Sequence, residues 1–290
     1  MRRDPVVAIL GLGTMGGGMA HRLLASGFSV RLFNRSPGKY EQFARTRAVT
    51  CNSPAQAASG ADVVISMVSN DSASKSVWQG PGGALEAIGM GAIVVESSTV
   101  SLQRVHELSQ AVKLKGAHFL DAPVTGSKHQ AITGGLKFLV GGDQVVVDDV
   151  RPVLAAMSTD TILLGPVGSG TALKLVNNFL CGVQVAALAE GLAMLSAFAL
   201  DKNAATDVLA KGAAGSPLMH AVLERRGAGD FTPNFAAVLM LKDLEYAIND
   251  ASCNGVTLLT AQAARQRFVE AVAAGHGGKD IASLLVMFRP

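Results

Sequence analysis

In the run GTALKLVNN, residues 170–178, Lys174 and Asn178 stand four positions apart, so a helix puts them on one face with Asn177, a candidate substrate contact, beside them. An ammonium group buried without a role is costly, and desolvation lowers its pKa toward the range useful in proton transfer. Hydride delivery to a carbonyl creates an alkoxide, which a lysine so placed can protonate; in alcohol oxidation the role reverses. The same spacing also fits a lysine snorkelling from the first helical turns while the asparagines bond neighbouring backbone.

A second cluster lies in DAPVTGSKHQAITGGL, residues 121–136, where Thr125, Gly126 and Ser127 offer hydroxyls and loop amides suited to a substrate carboxylate. A purely structural turn uses the same residue types. His129, a lone loop histidine, is expected to be solvated. In LMLKDLEYA, residues 239–247, Lys242 and Asp243 sit on a predicted helix whose Leu239, Leu241 and Leu244 are expected to be buried. The two charges either face solvent or close a site from the second half of the chain.

The elements that would position these groups begin with VVAIL, residues 6–10, which runs directly into Gly11-Leu12-Gly13-Thr14-Met15-Gly16 and then an apolar helical pattern at Met19, Leu23 and Leu24. Strand, glycine turn and helix in this order bind a dinucleotide. The first two glycines permit the tight turn and the approach of a pyrophosphate, and the third lets helix and strand pack closely. The helix N-terminus supplies free amides and the positive end of its dipole. A second strand, residues 30–33, ends at Asn34-Arg35-Ser36, where an acid would ordinarily bind the ribose 2′-hydroxyl of NAD. Arg35 suits a 2′-phosphate instead, with Asn34 and Ser36 adding hydrogen bonds, the alternative being an arginine solvated after a strand; NADP(H) is the predicted coenzyme.

Further strands are predicted at residues 63–68, 93–96, 119–120 and 138–140, alternating with helix formers, which favours a sheet covered on both faces. Met67, Val68 and Thr99 fall at strand ends, where ligands of such sheets bind; they are read as contacts of the nicotinamide half or as ordinary packing.

The 290 residues carry a net charge of +3 with both signs interspersed, which argues against a nucleic-acid or anionic-membrane surface. Cys51, Cys181 and Cys253 are widely separated and form neither a disulfide framework nor a metal-ligand set, so no metal is expected. A reducing, cytoplasmic location is the expectation. The opening MRRDPVVAIL resembles a secretory leader superficially, but its apolar run is short and passes into the glycine turn. Residues 179–200 are long enough to span a bilayer, yet Glu190 near their middle argues for a helix packed on all sides within a soluble protein, between domains or subunits.

Taken in order, GLGTMGGGMA, DAPVTGSKHQAITGGL, GSGTALKLVNN and LKDLEYA resemble the signatures of the β-hydroxyacid dehydrogenase family along almost the whole chain. The resemblance implies a doubly wound Rossmann-type α/β domain over residues 1–164. An all-α domain over residues 165–290 would follow, entered through a long interdomain helix. It also implies that Lys174 is the catalytic acid/base and Asn178 an orienting amide, with Thr125 and Gly126 cradling the carboxylate and Thr99 and Lys242 beside the coenzyme. Asn34-Arg35-Ser36 and Gly126-Ser127-Lys128 look most like the NADP-dependent glyoxylate and succinic semialdehyde reductases. The implied reaction interconverts a small carboxylate-bearing aldehyde and its hydroxy acid. The alternatives are a 3-hydroxyisobutyrate- or serine-type dehydrogenase and a non-catalytic dinucleotide-binding sensor or scaffold. Thr125 replaces the family's usual serine, and Ser127 stands where most members outside the reductase-like group have glycine, which leaves the substrate open. Imine reductases share the fold but typically replace the lysine, so Lys174 argues against them. The family's habit implies a homodimer or homotetramer.

Overall fold

The computed structural model describes residues 5–287; Arg2 and Arg3, the basic part of the leader-like opening, lie outside the described residues. The chain divides into two compact units, Met1–Lys174 and Leu175–Pro290.

In the first unit the strands are β1 (Val6–Leu10), β2 (Ser29–Phe33), β3 (Val49–Thr50), β4 (Val63–Ser66), β5 (Ile93–Glu96), β6 (His118–Asp121), β7 (Val124–Thr125), β8 (Leu136–Gly141) and β9 (Ser158–Gly165). Its helices are α1 (Thr14–Ala25), α2 (Pro54–Ala58), α3 (Asp71–Gln79), α4 (Leu102–Leu114), α5 (Lys128–Thr133) and α6 (Gln144–Ala155). The strands form one sheet in the order β3-β2-β1-β4-β5-β6-β8-β7, with β9 paired to β8. From β3 to β6 all neighbours are parallel; β8 runs antiparallel to β6 and β7. Because β2 and β4 flank β1 on opposite sides, the chain reverses its direction of travel across the sheet at β1, the place where such sheets bind ligands.

Strand periodicity explains the two-sided burial. Val7 and Ile9 enter one core with Met19 and Leu23 of α1 and Val147 and Val150 of α6, while Ala8 and Leu10 enter another with Trp78 of α3 and Leu108 of α4. A strand buried on both faces reads as the continuous apolar run VVAIL rather than as an alternation. The strand predicted over residues 63–68 stops at Ser66, so Met67 and Val68 lie just beyond it. β9 lacked a sequence prediction, since its burial alternates between half-buried and exposed residues, as at an edge.

The helix α7 (Ser169–Ala197) begins in the first unit and continues into the second, which adds α8 (Lys202–Lys211), α9 (Pro217–Ala228), α10 (Ala237–Cys253) and α11 (Leu259–Ala271). A separate core holds Val185 and Leu188 of α7, Met240 and Leu244 of α10 and Phe268 of α11. Of the predicted buried leucines on α10, Leu244 is buried, while Leu239 and Leu241 are half-buried. Within the single chain, 28% of the most apolar window of α7 is buried. Val176, Leu180 and Met194 are each more than half exposed. By length and composition α7 is long and apolar enough to cross a membrane. Glu190, however, pairs with Arg267 of α11 at 2.8 Å, a partnered carboxylate rather than an isolated one.

Candidate functional site

The glycine turn closes β1 and opens α1. Gly11 has φ +104°, and a Cβ there would lie 2.3 Å from the Met67 carbonyl oxygen; one at Gly16 would lie 2.0 Å from the Gly11 carbonyl oxygen. Both positions therefore require glycine, the first for backbone conformation as well as space. Gly13 differs: nothing lies within 4 Å of an added Cβ, and no side chain caps the helix that starts at Thr14. The uncapped first turn, carrying the amides of Thr14, Met15 and Gly16, faces open space suited to a dinucleotide pyrophosphate. The residues present thus fit the coenzyme.

Asn34 reaches back to this turn, its Oδ1 accepting from Leu12 N at 2.8 Å and its Nδ2 donating to the Ser36 carbonyl at 3.0 Å. Its backbone amide donates to the Tyr40 hydroxyl, which in turn donates to the Cys51 carbonyl at 3.0 Å. The side chain of Asn34 thus holds β2 to the glycine turn, and Arg35 and Ser36 are exposed beside it. Met67 and Val68 follow β4 and Thr99 follows β5 at the same carboxyl edge of the sheet, with Val68 N donating to Ser98 Oγ at 2.8 Å.

Thr125 is not in a loop but ends β7, opposite Lys137 of β8, and Gly126 turns the chain with φ +125°. Ser127 opens α5, and Gln130 Oε1 accepts both its amide, at 2.9 Å, and its hydroxyl. Those two donors are already engaged. Behind the loop, α5 crosses α1 so closely that a Cβ on Gly18 would fall 2.9 Å from the Ala131 carbonyl carbon. His129 is exposed, as expected.

The start of α7 is held by Asp121 at the end of β6. This carboxylate is fully buried and accepts from Gly168 N at 2.7 Å and Thr171 N at 2.8 Å, two amides at the start of the helix. Burial pushes its pKa up to about 6, opposed by the two amides. Gly141 and Gly170 permit this seat, since a Cβ at either would lie within 2.3 Å of Asp121 Oδ1 or the Leu139 carbonyl oxygen respectively. Half-buried Lys174 follows Thr171 by three residues, so Asp121 helps fix the turn that carries the amine.

Within the second unit, Asn178 is buried and its Nδ2 donates to Asp243 Oδ2 at 2.6 Å, while its Oδ1 accepts from Asn177 Nδ2 at 3.0 Å. Lys242 Nζ lies 2.7 Å from Asp243 Oδ1 and 4.8 Å from the Tyr246 ring centre. Asp243 is buried, which resolves its two sequence readings against solvent, and it orients the Asn178 amide as it pairs with Lys242. Asp121 was passed over at the sequence level as a site residue, although an acid inside the apolar run FLDAPV signals a carboxylate that must find donors. Gln130 carries a local signal of its own, since Ser127 and Gln130 have the S-x-x-Q spacing of a capping box, which α5 forms.

Residues 6–165 match the domain family described as the NAD binding domain of 6-phosphogluconate dehydrogenase, and residues 168–288 match that described as NAD-binding of NADP-dependent 3-hydroxyisobutyrate dehydrogenase. The chain is 33% identical to an L-threonate dehydrogenase from Cupriavidus necator, over 97% of this chain and 95% of that protein. It is 31% identical to glyoxylate/succinic semialdehyde reductase 1 of Arabidopsis thaliana over 96% of each. The solved structure of Mycobacterium tuberculosis 3-hydroxyisobutyrate dehydrogenase with L-serine superposes with a TM-score of 0.89 at 28% identity, covering 99% of this chain and 100% of that one.

Proposed function

Because this chain belongs to the 3-hydroxyisobutyrate dehydrogenase-like family of β-hydroxyacid dehydrogenases, we propose that it is an NADP(H)-dependent enzyme interconverting a small carboxylate-bearing aldehyde and its hydroxy acid. Glyoxylate and succinic semialdehyde are the substrate types. The observation that carries the reading is Lys174 one turn ahead of Asn178, whose amide is already oriented by buried Asp243. When bound, the coenzyme supplies or accepts the hydride.

The residues of the chain then divide the remaining work. The amides of the turn from Gly11 to Gly16 receive the pyrophosphate, and Arg35 with Ser36 receives the 2′-phosphate, Asn34 serving to hold their strand to the turn. Met67, Val68 and Thr99 flank the nicotinamide half, and Lys242 is a coenzyme neighbour. Thr125 and Gly126 take the substrate carboxylate, with Ser127 shaping their turn through Gln130. Asn177 supports Asn178, which orients the carbonyl, and Lys174 holds and moves the proton at the carbonyl oxygen.

Likeness to an L-threonate dehydrogenase favours a second reading, physiological oxidation of a hydroxy acid. One spectrophotometric screen separates the possibilities: NADPH loss with glyoxylate or succinic semialdehyde, against NADP reduction by threonate, serine or 3-hydroxyisobutyrate. Turnover of the aldehyde acids supports the first reading. Turnover of the hydroxy acids alone supports the second, and none in either direction, with NADPH bound, would leave a non-catalytic sensor.

Coenzyme choice has its own test. Arg35→Ala is expected to lower kcat/KM for NADPH by about 10²-fold while sparing NADH, since a charge-assisted phosphate contact is worth roughly 1.5–3 kcal/mol. An unchanged ratio of the two coenzymes would refute the assignment.

A further inference from the structure

Beneath the carboxyl edge of the sheet, the fully buried Glu96 at the end of β5 collects four hydrogen bonds. Its Oε1 accepts from Ser66 Oγ of β4 at 2.6 Å and from Ser98 N at 3.0 Å. Its Oε2 accepts from Ser74 Oγ of α3 at 2.7 Å and from Trp78 Nε1 at 3.0 Å. The balancing charge is Arg104 of α4, itself buried, which reaches the cluster through its Nε on Ser74 Oγ at 3.0 Å and binds Gln79 Oε1 at 2.6 Å. Burial lowers the Arg104 pKa, and the charge of Glu96 opposes that shift.

A buried carboxylate with four donors is a costly way to join two strand ends that backbone pairing already joins. Its distinctive consequence lies one step outward. The Ser98 amide donates to Glu96, and the Ser98 hydroxyl accepts from the amide of Val68. The neighbouring Ser97 hydroxyl is buried and makes no hydrogen bond among the described residues, so beside Val68 it is Ser98 that ties this turn to the one after β4, with a second tie further along, where Ser101 N and Oγ donate to Asp71 at 2.9 and 2.6 Å. Both turns hold residues assigned above to the nicotinamide half of the coenzyme.

We propose that Glu96, acting through Ser98, is a positioning residue for the nicotinamide half of NADP(H), setting the turns of Val68 and Thr99 without touching the coenzyme. The inference rests on the coenzyme reading given above. It predicts selectivity: the adenosine half, bound at the glycine turn and Arg35, is indifferent to this cluster.

Ser98→Ala removes the acceptor of the Val68 amide and leaves the buried charges intact. NADPH is expected to bind about tenfold more weakly, the effect of one mis-set hydrogen bond, with kcat reduced, while adenosine 2′,5′-bisphosphate binds as to the unaltered protein. Glu96→Gln gives an independent measurement, because the amide keeps one acceptor oxygen where the carboxylate has two, so either Ser98 N or Trp78 Nε1, which donates also to Ser66 Oγ at 3.1 Å, must give up its bond to residue 96. The expected result is a shifted emission of Trp78, the single tryptophan, together with the same selective loss of NADPH. Unchanged NADPH affinity in Ser98→Ala, equal weakening of both ligands, or a shifted Trp78 emission with unaltered NADPH binding would overturn the proposal. Failure of the unaltered protein to bind NADPH would instead overturn the coenzyme reading, and this inference with it.

Discussion

Lys174→Ala is expected to lower kcat by roughly 10²–10⁴-fold, the range of a lost general acid or base, while NADPH affinity changes by no more than about twofold. The split follows from where the residue stands. Lys174 belongs to the second turn of α7, and the glycine turn proposed to receive the pyrophosphate is built from β1, α1 and Met67, none of which depends on that side chain. Lys174→Arg should restore little, because a guanidinium holds charge but does not release its proton near neutral pH. Single-turnover absorbance measurements with saturating NADPH give the chemical step, and fluorescence titration gives the affinity. Near-normal turnover in the alanine variant would end the acid/base assignment.

The second large effect concerns Asp121. Its folded pKa of about 6 exceeds the ordinary carboxylate value, so between about pH 4 and 6 the folded state binds more protons than the unfolded one. Stability contributed by this group is therefore greatest below pH 4 and falls as pH rises through 6, by up to about 3 kcal/mol at ~1.4 kcal/mol per pH unit. Asp121→Asn cannot ionise, and its amide turns a donor toward one of the two N–H groups of Gly168 and Thr171, costing about 1–3 kcal/mol. The urea midpoint of the unaltered protein should consequently fall relative to that of the variant as pH rises from 4 to 7, by the equivalent of up to about 3 kcal/mol. All other carboxylates titrate in both proteins, so the difference isolates this one. Midpoints that stay parallel across the range would show that Asp121 does not titrate between them.

Several features were legible in the residues themselves. The strand, turn and helix of residues 6–25 follow from β-branched residues running into three spaced glycines, and each glycine meets a steric or access requirement visible from backbone chemistry. The shared face of Lys174 and Asn178 follows from the helical repeat, and the family follows from the order of four motifs along the chain. Those readings depend on short windows, where period and turn chemistry act within a few residues.

What each side chain does with its polar atoms was decided only by the fold. Asn34 is tied to Leu12, 22 residues away; Asn178 owes its orientation to Asp243, 65 residues on, and the Thr171 amide of α7 finds an aspartate 50 residues before. Ser127 shows the local version, its donors taken by Gln130 three positions later. Hydrogen bonds are short and directional, so their partners are chosen by how the strands and helices stack, and composition and spacing restrict those choices without making them. Exposure of α7 has the same origin: an apolar helix specifies that it seeks contact, and tertiary packing determines which faces find it.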